Sequence, residues 1–189
     1  MRLTKLLLAL TSVLALAANP PAQRHPHPPD GLRGSDWPRF LGPTGNSIST
    51  ETGILTEWPQ GGPPLKWYRQ VGEGYSMPTV VQGRLFHFDR HGGVARLTCF
   101  DSATGEEIWR SEYVASYEDS YDFSNGPRAS PLVHDGRVYT FGAEGRLRCH
   151  RSLDGKLLWE VDTAARFGVV QNFFGVGSSP VIEGNLLIA

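Results

Sequence analysis

The amino-acid sequence predicts an all-β fold, a β-propeller of four-stranded antiparallel blades, on three observations. A motif recurs in one register, as CFDSATGEEIW at residues 99–109 and as CHRSLDGKLLW at residues 149–159. Short apolar runs of strand length precede each copy, and turns rich in Gly separate these runs. Four antiparallel strands repeated every ~40 to 50 residues are typical of propeller blades. The chain holds about two and a half such units, which predicts an incomplete ring.

Residues 1–18 are predicted to be a signal peptide. Two basic residues precede an uncharged apolar run from Leu6 to Ala18, which is shorter than the ~20 residues of a membrane-spanning helix. The run closes with Ala15-Leu16-Ala17, a small-residue cleavage pattern. We therefore expect a periplasmic or secreted protein, cleaved near Ala17 or Ala18, with no transmembrane segment in the mature chain. An uncleaved N-terminal anchor is the alternative.

Residues 19–35 are rich in Pro, Gly and charge, and they predict a flexible linker ahead of a propeller domain at residues 36–189. His25 and His27 lie in this linker, but an extended Pro-rich segment does not hold metal ligands in place. We therefore expect no metal site there.

The composition predicts a folded protein whose partners are not nucleic acids. Apolar residues make up 40% of the chain and aromatic residues 11%, while the formal net charge is −1. No cluster of Lys and Arg follows the N-terminus, so nucleic acid is a poor candidate partner. A protein, peptide or carbohydrate partner is expected instead.

Each predicted blade opens with a Pro and runs through four strands. The first unit begins at Ser76, the second at Ala129, and a third starts at SSPVIEGNLLIA and runs to Ala189. The first three strands of the two complete units are TVV, RLFHF and RLTCF, then PLVH, RVYTF and RLRCH. The fourth strands are EEIWRSEY and KLLWEVDT. QG, HDG, HGG and AEG between them are hairpin turns.

The recurring motif predicts blade stacking rather than chemistry. Gly105 and Gly155 fall in the turn between third and fourth strands, where the chain reverses tightly. Trp109 and Trp159 open the fourth strand, where a large ring can pack on the adjacent blade. Cys99 and Cys149 occupy equivalent positions on neighbouring sheets, beyond disulfide reach, so we expect two buried thiols.

The first copy of the motif resembles the repeat of the pyrroloquinoline-quinone-like (PQQ-like) propeller family, Ala-x-Asp-x-x-Thr-Gly-x-x-x-Trp. Asp101, Thr104, Gly105 and Trp109 match it, with Cys99 in the Ala position. The second copy keeps only its Gly and Trp. DWPRFLGPTGNSIS, from Asp36, is similar to the opening of exported bacterial members. The resemblance covers residues 35–189.

This resemblance implies a ring of seven or eight blades, so we expect the chain to be an N-terminal fragment of a longer protein. Residues 64–71, PLKWYRQV, then represent an outer strand that completes the last blade of the ring. The apolar NLLIA strand leaves an exposed edge, and such an edge can self-associate.

The candidate binding residues lie in the two long connectors between blades, since function in propellers concentrates in loops. They are Arg128, Asp122, Asn125 and Asn172. Two interpretations of Arg128 stay open: it binds an anionic group facing the channel, or it forms a structural ion pair with Asp119 or Asp122. The acidic residues of the first connector could offer oxygen ligands to calcium, but their spacing is not that of a calcium loop.

The function predicted is that of a binding or assembly scaffold, since no catalytic motif and no cofactor site is evident in the sequence. The alternative is a PQQ-dependent alcohol or sugar dehydrogenase, whose PQQ and calcium would sit in blades outside this chain. The resemblance implies an adjacent Cys-Cys pair for such enzymes, and this chain lacks it. Under the first hypothesis the protein is not an enzyme, and under the alternative it is a PQQ-dependent dehydrogenase. A sensor or carbohydrate-binding domain of a larger exported enzyme is a third possibility.

Overall fold

The computed structural model describes residues 34–171 and 173–189, so the predicted signal peptide and nearly all of the predicted linker lie outside the described residues. The described part is built of antiparallel strands and one short helix. In chain order these are β1 Thr79–Val81, β2 Arg84–His91, β3 Val94–Asp101, β4 Glu107–Val114, β5 Leu132–His134, β6 Arg137–Phe141, β7 Arg146–Arg151, β8 Leu157–Asp162, α1 Thr163–Phe167, β9 Val181–Glu183 and β10 Leu186–Ile188.

The strands form two complete blades and half of a third. The first sheet has the order β1-β2-β3-β4, the second β5-β6-β7-β8, and β9 pairs with β10 alone. Every pairing is an antiparallel hairpin between consecutive strands. The described sheets do not close a ring. The structure therefore confirms the predicted incomplete propeller of four-stranded blades.

The core lies between the first two blades, because one face of each strand is apolar. Phe86, Phe88, Leu97 and Cys99 alternate with polar residues along β2 and β3 and are at most 2% exposed. They pack against the second blade through Val133 and Val138. Burying a Phe side chain stabilises the fold by roughly 1.5–3 kcal/mol, so this strip of residues joins the blades.

The repeated Gly and Trp form one contact between neighbouring blades. Trp109 of the first blade lies on Gly155 of the second, where an added Cβ would come within 2.5 Å of the ring. Its indole N–H donates to the backbone oxygen of Ser152 at 3.0 Å. Trp67 lies on Gly105 in the same way and donates to the Ser102 oxygen. In each complete blade, the glycine turn therefore contacts a Trp ring that comes from the segment before that blade.

The Asp and Thr of the motif shape the turn that carries the glycine. The Asp101 carboxylate accepts hydrogen bonds from the backbone N–H groups of Ala103 and Thr104, both at 2.9 Å. The second blade has Arg151 at the position of Asp101 and Asp154 at the position of Thr104. Asp154 pairs with Arg151 and accepts a hydrogen bond from the N–H of Lys156. Two different side-chain arrangements thus hold the same glycine turn.

Trp159 differs from Trp109, since its side chain is 37% exposed where Trp109 is 9% exposed. Within the described residues the third blade consists of β9 and β10, and no described glycine turn lies against the Trp159 ring. The prediction that this ring packs on an adjacent blade is therefore not met within the described residues.

Residues 64–71 do not form a strand in the structure, contrary to the prediction. A strand needs a hydrogen-bonded neighbour, and no described residue pairs with this segment along its length. The segment still follows the edge of the first blade. Trp67 docks on Gly105, and the Arg69 guanidinium donates to the Gly105 oxygen at 2.7 Å.

Serine hydroxyls link the segments in which successive blades begin, around Pro78, Pro131 and Pro180. The Met77 N–H donates to Oγ of Ser130, and the Ser130 N–H donates to Oγ of Ser179. The first segment of each blade therefore accepts a hydrogen bond from a backbone N–H in the first segment of the blade before it. This contact explains why small residues precede Pro131 and Pro180.

Residues 36–38 form a strap across the free edges of β1 and β5. Trp37 exchanges two backbone hydrogen bonds with Val80, at 2.7 and 3.0 Å. The Pro38 oxygen accepts from the N–H of Val133 at 2.7 Å. The strap thus satisfies the exposed polar backbone of the first strand in both complete blades, a contact that the sequence did not predict.

Cys99 and Cys149 are both buried free thiols, and each lies opposite a Trp, Trp109 or Trp159, on the neighbouring strand. Burial raises the pKa of Cys99 to about 12, despite the nearby Arg84 guanidinium. A thiol of that pKa is inert at neutral pH. Within the described part of the chain, none of the helices reaches the length and hydropathy needed to cross a bilayer.

Candidate functional site

The two inter-blade connectors lie side by side and form what we call the connector face. The first connector, residues 115–131, joins β4 to β5, and the second, residues 163–180, joins β8 to β9 and is described except at Asn172. Tyr117 of the first connector is 3% exposed and its hydroxyl donates to the backbone oxygen of Phe173. Gly175 of the second connector lies against the Tyr117 ring. The two connectors therefore pack as one surface.

Arg128 holds the connector face together. Its guanidinium forms an ion pair with Asp119 at 2.8 Å and donates to the backbone oxygens of Gly126 and Phe174, at 2.5 and 3.0 Å. The rings of Tyr75 and Tyr117 lie 5.3 and 5.1 Å from its central carbon. The structure thus selects the ion pair with Asp119, one of the two partners considered from sequence, over a free cation facing the channel.

Asp119 and Asn125 order the backbone of the first connector. The Asp119 carboxylate accepts from the N–H of Tyr121 at 2.9 Å, and this bond, with the Arg128 guanidinium, lowers the pKa of Asp119. The Asn125 side chain accepts from the Asp119 N–H at 2.7 Å, and its own N–H donates to the Glu73 carboxylate. Asn125 was a candidate binding residue, and these contacts give its side chain an ordering role.

Four aromatic side chains on the connector face form an exposed aromatic cluster. Tyr121 and Phe123 come from the first connector, and Phe173 and Phe174 from the second; they are 50%, 65%, 60% and 52% exposed. Tyr121 stacks on Phe173 with 4.2 Å between ring centroids, and Phe173 meets Phe174 edge to face at 5.4 Å. Exposed apolar patches on folded proteins are often interaction surfaces, so the cluster is the candidate binding site.

Three of the candidate residues chosen from sequence, Asp122, Asn125 and Arg128, lie on the connector face, and the four aromatic residues were not among the candidates. Asp122 is exposed between Tyr121 and Phe123, and it forms no ion pair within the described residues. Asn172 lies outside the described residues. Tyr121 and Phe123, spaced through an otherwise polar stretch of the first connector, were the available signal for the cluster.

The short helix α1 opens the second connector, and it too was not predicted. Asp162 caps its first turn by accepting from the N–H of Ala165, and Gly168 ends it with a φ of 68°. An Asp before the helix and a Gly after it are standard start and stop signals, so the sequence DTAARFG contained the information.

A cavity of about 240 Å³ on the outer face of the first blade is rich in arginine, yet each arginine has a partner. Arg96 holds Asp89 through two hydrogen bonds, at 2.9 and 2.6 Å. Arg110 pairs with Glu107 and Glu112. Arg69 donates to the Gly105 oxygen. The equivalent face of the second blade packs against the first blade. The cavity therefore lies on a face suited to contact with a neighbouring blade rather than to binding an anion.

Ser111 and His150 approach each other between the blades, but they do not make a nucleophilic pair. The Ser111 hydroxyl lies 3.0 Å from Nε2 of His150, and the His150 side chain is 0% exposed. Its Nδ1 has no hydrogen-bond partner among the described residues, where a catalytic histidine needs an orienting acceptor. Burial and the Arg148 guanidinium lower the pKa of His150 to about 4. The contact is structural.

The described residues contain no group of three His, Cys, Asp or Glu side chains placed to hold a metal. Cys99 and Cys149 lie buried in separate blades.

A family described as "Outer membrane protein assembly factor BamB" matches residues 42–189, which include both blades and the connector face. The chain belongs to this family of PQQ-like repeat propellers. The BamB of Shewanella oneidensis is 33% identical over 108 residues, which cover 52% of this chain and 27% of that protein.

Two solved structures align with part of this chain. The crystal structure of BamB from Moraxella catarrhalis aligns with a TM-score of 0.46 and 16% identity, covering 65% of this chain and 32% of that one. A quinohemoprotein alcohol dehydrogenase from Pseudomonas putida aligns with a TM-score of 0.35 and 24% identity, covering 44% of this chain and 12% of that one. This chain thus spans about a quarter to a third of the BamB proteins it matches.

Replacing Arg128 with Met will loosen the connector face while leaving the blades intact. The substitution removes the guanidinium that donates to the Asp119 carboxylate and to the Phe174 oxygen. Hydrogen exchange of the amides around Asp119 and Phe174 is expected to rise about tenfold, with β2 and β3 unchanged. Arg128→Lys keeps the charge but not the planar set of donors. Its exchange rates should lie between those of the wild type and of Arg128→Met. Unchanged protection in Arg128→Met would contradict the role given to Arg128.

Proposed function

We propose that the protein is an exported binding scaffold that serves the assembly of outer-membrane proteins. The observation that carries this proposal is the family match over residues 42–189. The name of the Shewanella relative describes the same role for that protein. The exposed aromatic cluster supports it, because the connector face offers an apolar surface to which a protein can bind.

Export and a periplasmic location are part of the proposal. The pattern at residues 1–18, a basic start followed by an apolar run and Ala15-Leu16-Ala17, supports secretion with cleavage. The partner proposed is a protein. Among the described residues no observation favours the PQQ-dependent dehydrogenase, so the scaffold is the one function put forward.

Deleting the gene in the organism that encodes it tests this function. The expected result is a fall in folded outer-membrane β-barrel proteins, measured by their heat-modifiable mobility in outer-membrane fractions, with inner-membrane proteins unchanged. Restoring the wild-type gene should restore them. N-terminal sequencing of the protein from periplasmic fractions should show a mature chain that starts just after Ala17 or Ala18.

A dehydrogenase assay tests the alternative function, that of a PQQ-dependent dehydrogenase. Purified full-length protein with PQQ and Ca²⁺ is expected to bind no cofactor and to reduce no dye with alcohols or glucose. Stoichiometric PQQ binding with substrate-dependent dye reduction, together with normal outer-membrane proteins in the deletion strain, would overturn the scaffold proposal.

A further inference from the structure

We propose that the aromatic cluster, residues Tyr121, Phe123, Phe173 and Phe174, binds a protein segment that carries apolar side chains beside Lys or Arg. This inference names the chemistry of the partner and rests on the proposed scaffold function. The occupant follows from three properties of the connector face: exposed rings, a rigid support beneath them, and unpaired carboxylates beside them.

Tyr121 and Phe123 stay exposed although the first connector has a packed neighbour on each side. It is flanked on one side by residues 72–77 and on the other by the second connector, which is described except at Asn172. The Tyr75 N–H donates to the Pro127 oxygen on one side, and Tyr117 contacts Phe173 on the other. The two rings nevertheless remain 50% and 65% exposed.

The support beneath the rings is buried and hydrogen-bonded. The Arg128–Asp119 ion pair fixes the N–H of Tyr121 through the carboxylate and the carbonyl of Phe174 through the guanidinium. One residue of each connector is therefore held by the same pair. Rings held in this way lose little conformational entropy on binding, which favours them as anchors of an interface.

The charges beside the rings select a cationic partner. Glu118 and Asp122 are exposed on the first connector, one of them between Tyr121 and Phe123, and neither forms an ion pair within the described residues. Carboxylates next to aromatic faces attract Lys and Arg through charge and through cation–π contact. Three of the four rings are Phe, which offers a sugar no hydroxyl to bond, so an apolar peptide is favoured over a carbohydrate.

The test uses three fluorescein-labelled dodecapeptides and the full-length mature protein, with fluorescence anisotropy at low and physiological salt. The first peptide alternates Leu or Phe with Lys; the second has Glu in place of Lys; the third has Ser in place of the apolar residues. We expect the first to bind at least about tenfold more tightly than either of the others. The chain carries a formal net charge of only −1, so general attraction of a cationic peptide is weak.

Variants locate the binding. Tyr121→Ser with Phe123→Ser should weaken binding of the Lys peptide about tenfold, and Glu118→Gln with Asp122→Asn about three- to tenfold with a flatter salt dependence. Tyr68→Ser is the matched control, since Tyr68 is 79% exposed and lies outside the connector face. Circular dichroism confirms that each variant folds.

Equal binding of the three peptides, or unchanged binding in the Tyr121→Ser, Phe123→Ser variant, would overturn the inference. Binding of a soluble polysaccharide that this variant loses, without peptide binding, would overturn it in favour of a carbohydrate. These results are independent of the gene deletion: a normal outer membrane in the deletion strain contradicts the proposed function, whereas indiscriminate peptide binding contradicts only the chemistry of the partner.

Discussion

Gly155→Ala will destabilise the protein by about 2–5 kcal/mol, more than a turn glycine alone accounts for. Gly155 has a φ of 70°, where an L-residue costs ~1–2 kcal/mol. Its Cβ would also come within 2.5 Å of the Trp109 ring, and overpacking of this kind costs a further ~1–3 kcal/mol. Urea unfolding measures the sum.

Gly136→Ala is the matched control for this prediction. Gly136 has a φ of 67°, close to that of Gly155, but an added Cβ would meet no atom within 4 Å. Both substitutions carry the same backbone strain and the same change in the unfolded chain, so their difference isolates the contact with Trp109. Equal losses in the two variants would show that the Trp109 ring moves aside without cost.

Acidification below pH 6.5 will destabilise the protein through His150. Burial lowers the pKa of His150 to about 4 in the folded state, against 6.5 for an ordinary histidine. Between these values the unfolded chain binds a proton that the folded chain does not. The associated stability is therefore complete above pH 6.5 and is lost as the pH falls toward 4, by up to about 3 kcal/mol.

His150→Phe removes this titration, and the first blade suggests the substitution because Phe100 follows Cys99 where His150 follows Cys149. The variant should show a flatter decline of the unfolding free energy between pH 6.5 and 4. Some decline should remain, since burial also lowers the pKa of His87 although Asp89 opposes it. His134→Gln, at an exposed position, should keep the wild-type decline. The same slope in wild type and His150→Phe would contradict the assignment.

The sequence predicted the blades well because their pattern is local. Glycine turns, alternating apolar residues and the position of Trp109 all follow from short stretches of chain, and the register that places Cys99 opposite Trp109 follows from them. The turn glycines were assigned only to the reversal of the chain. Their contact with a Trp ring joins residues more than thirty positions apart, so it became visible only in the structure.

The connector face was predictable only in part because its contacts join residues distant in sequence. A sequence shows that Arg128 has carboxylates nearby, but the choice of Asp119 over Asp122 depends on backbone turns: Asp122 has a φ of 58° and its side chain remains exposed. The aromatic cluster requires two connectors to lie side by side. That arrangement follows from the stacking of blades, not from either connector alone.

The strap has a consequence for the order in which the protein is made. Residues 36–38 are synthesised before either blade, yet Pro38 finds its partner Val133 only after the whole first blade has followed. The Trp37 bonds to Val80 need only the first blade, whereas the Pro38 bond to Val133 also needs the second. The full set of bonds made by residues 36–38 therefore forms only when two successive blades stand side by side, late in the sequence of contacts.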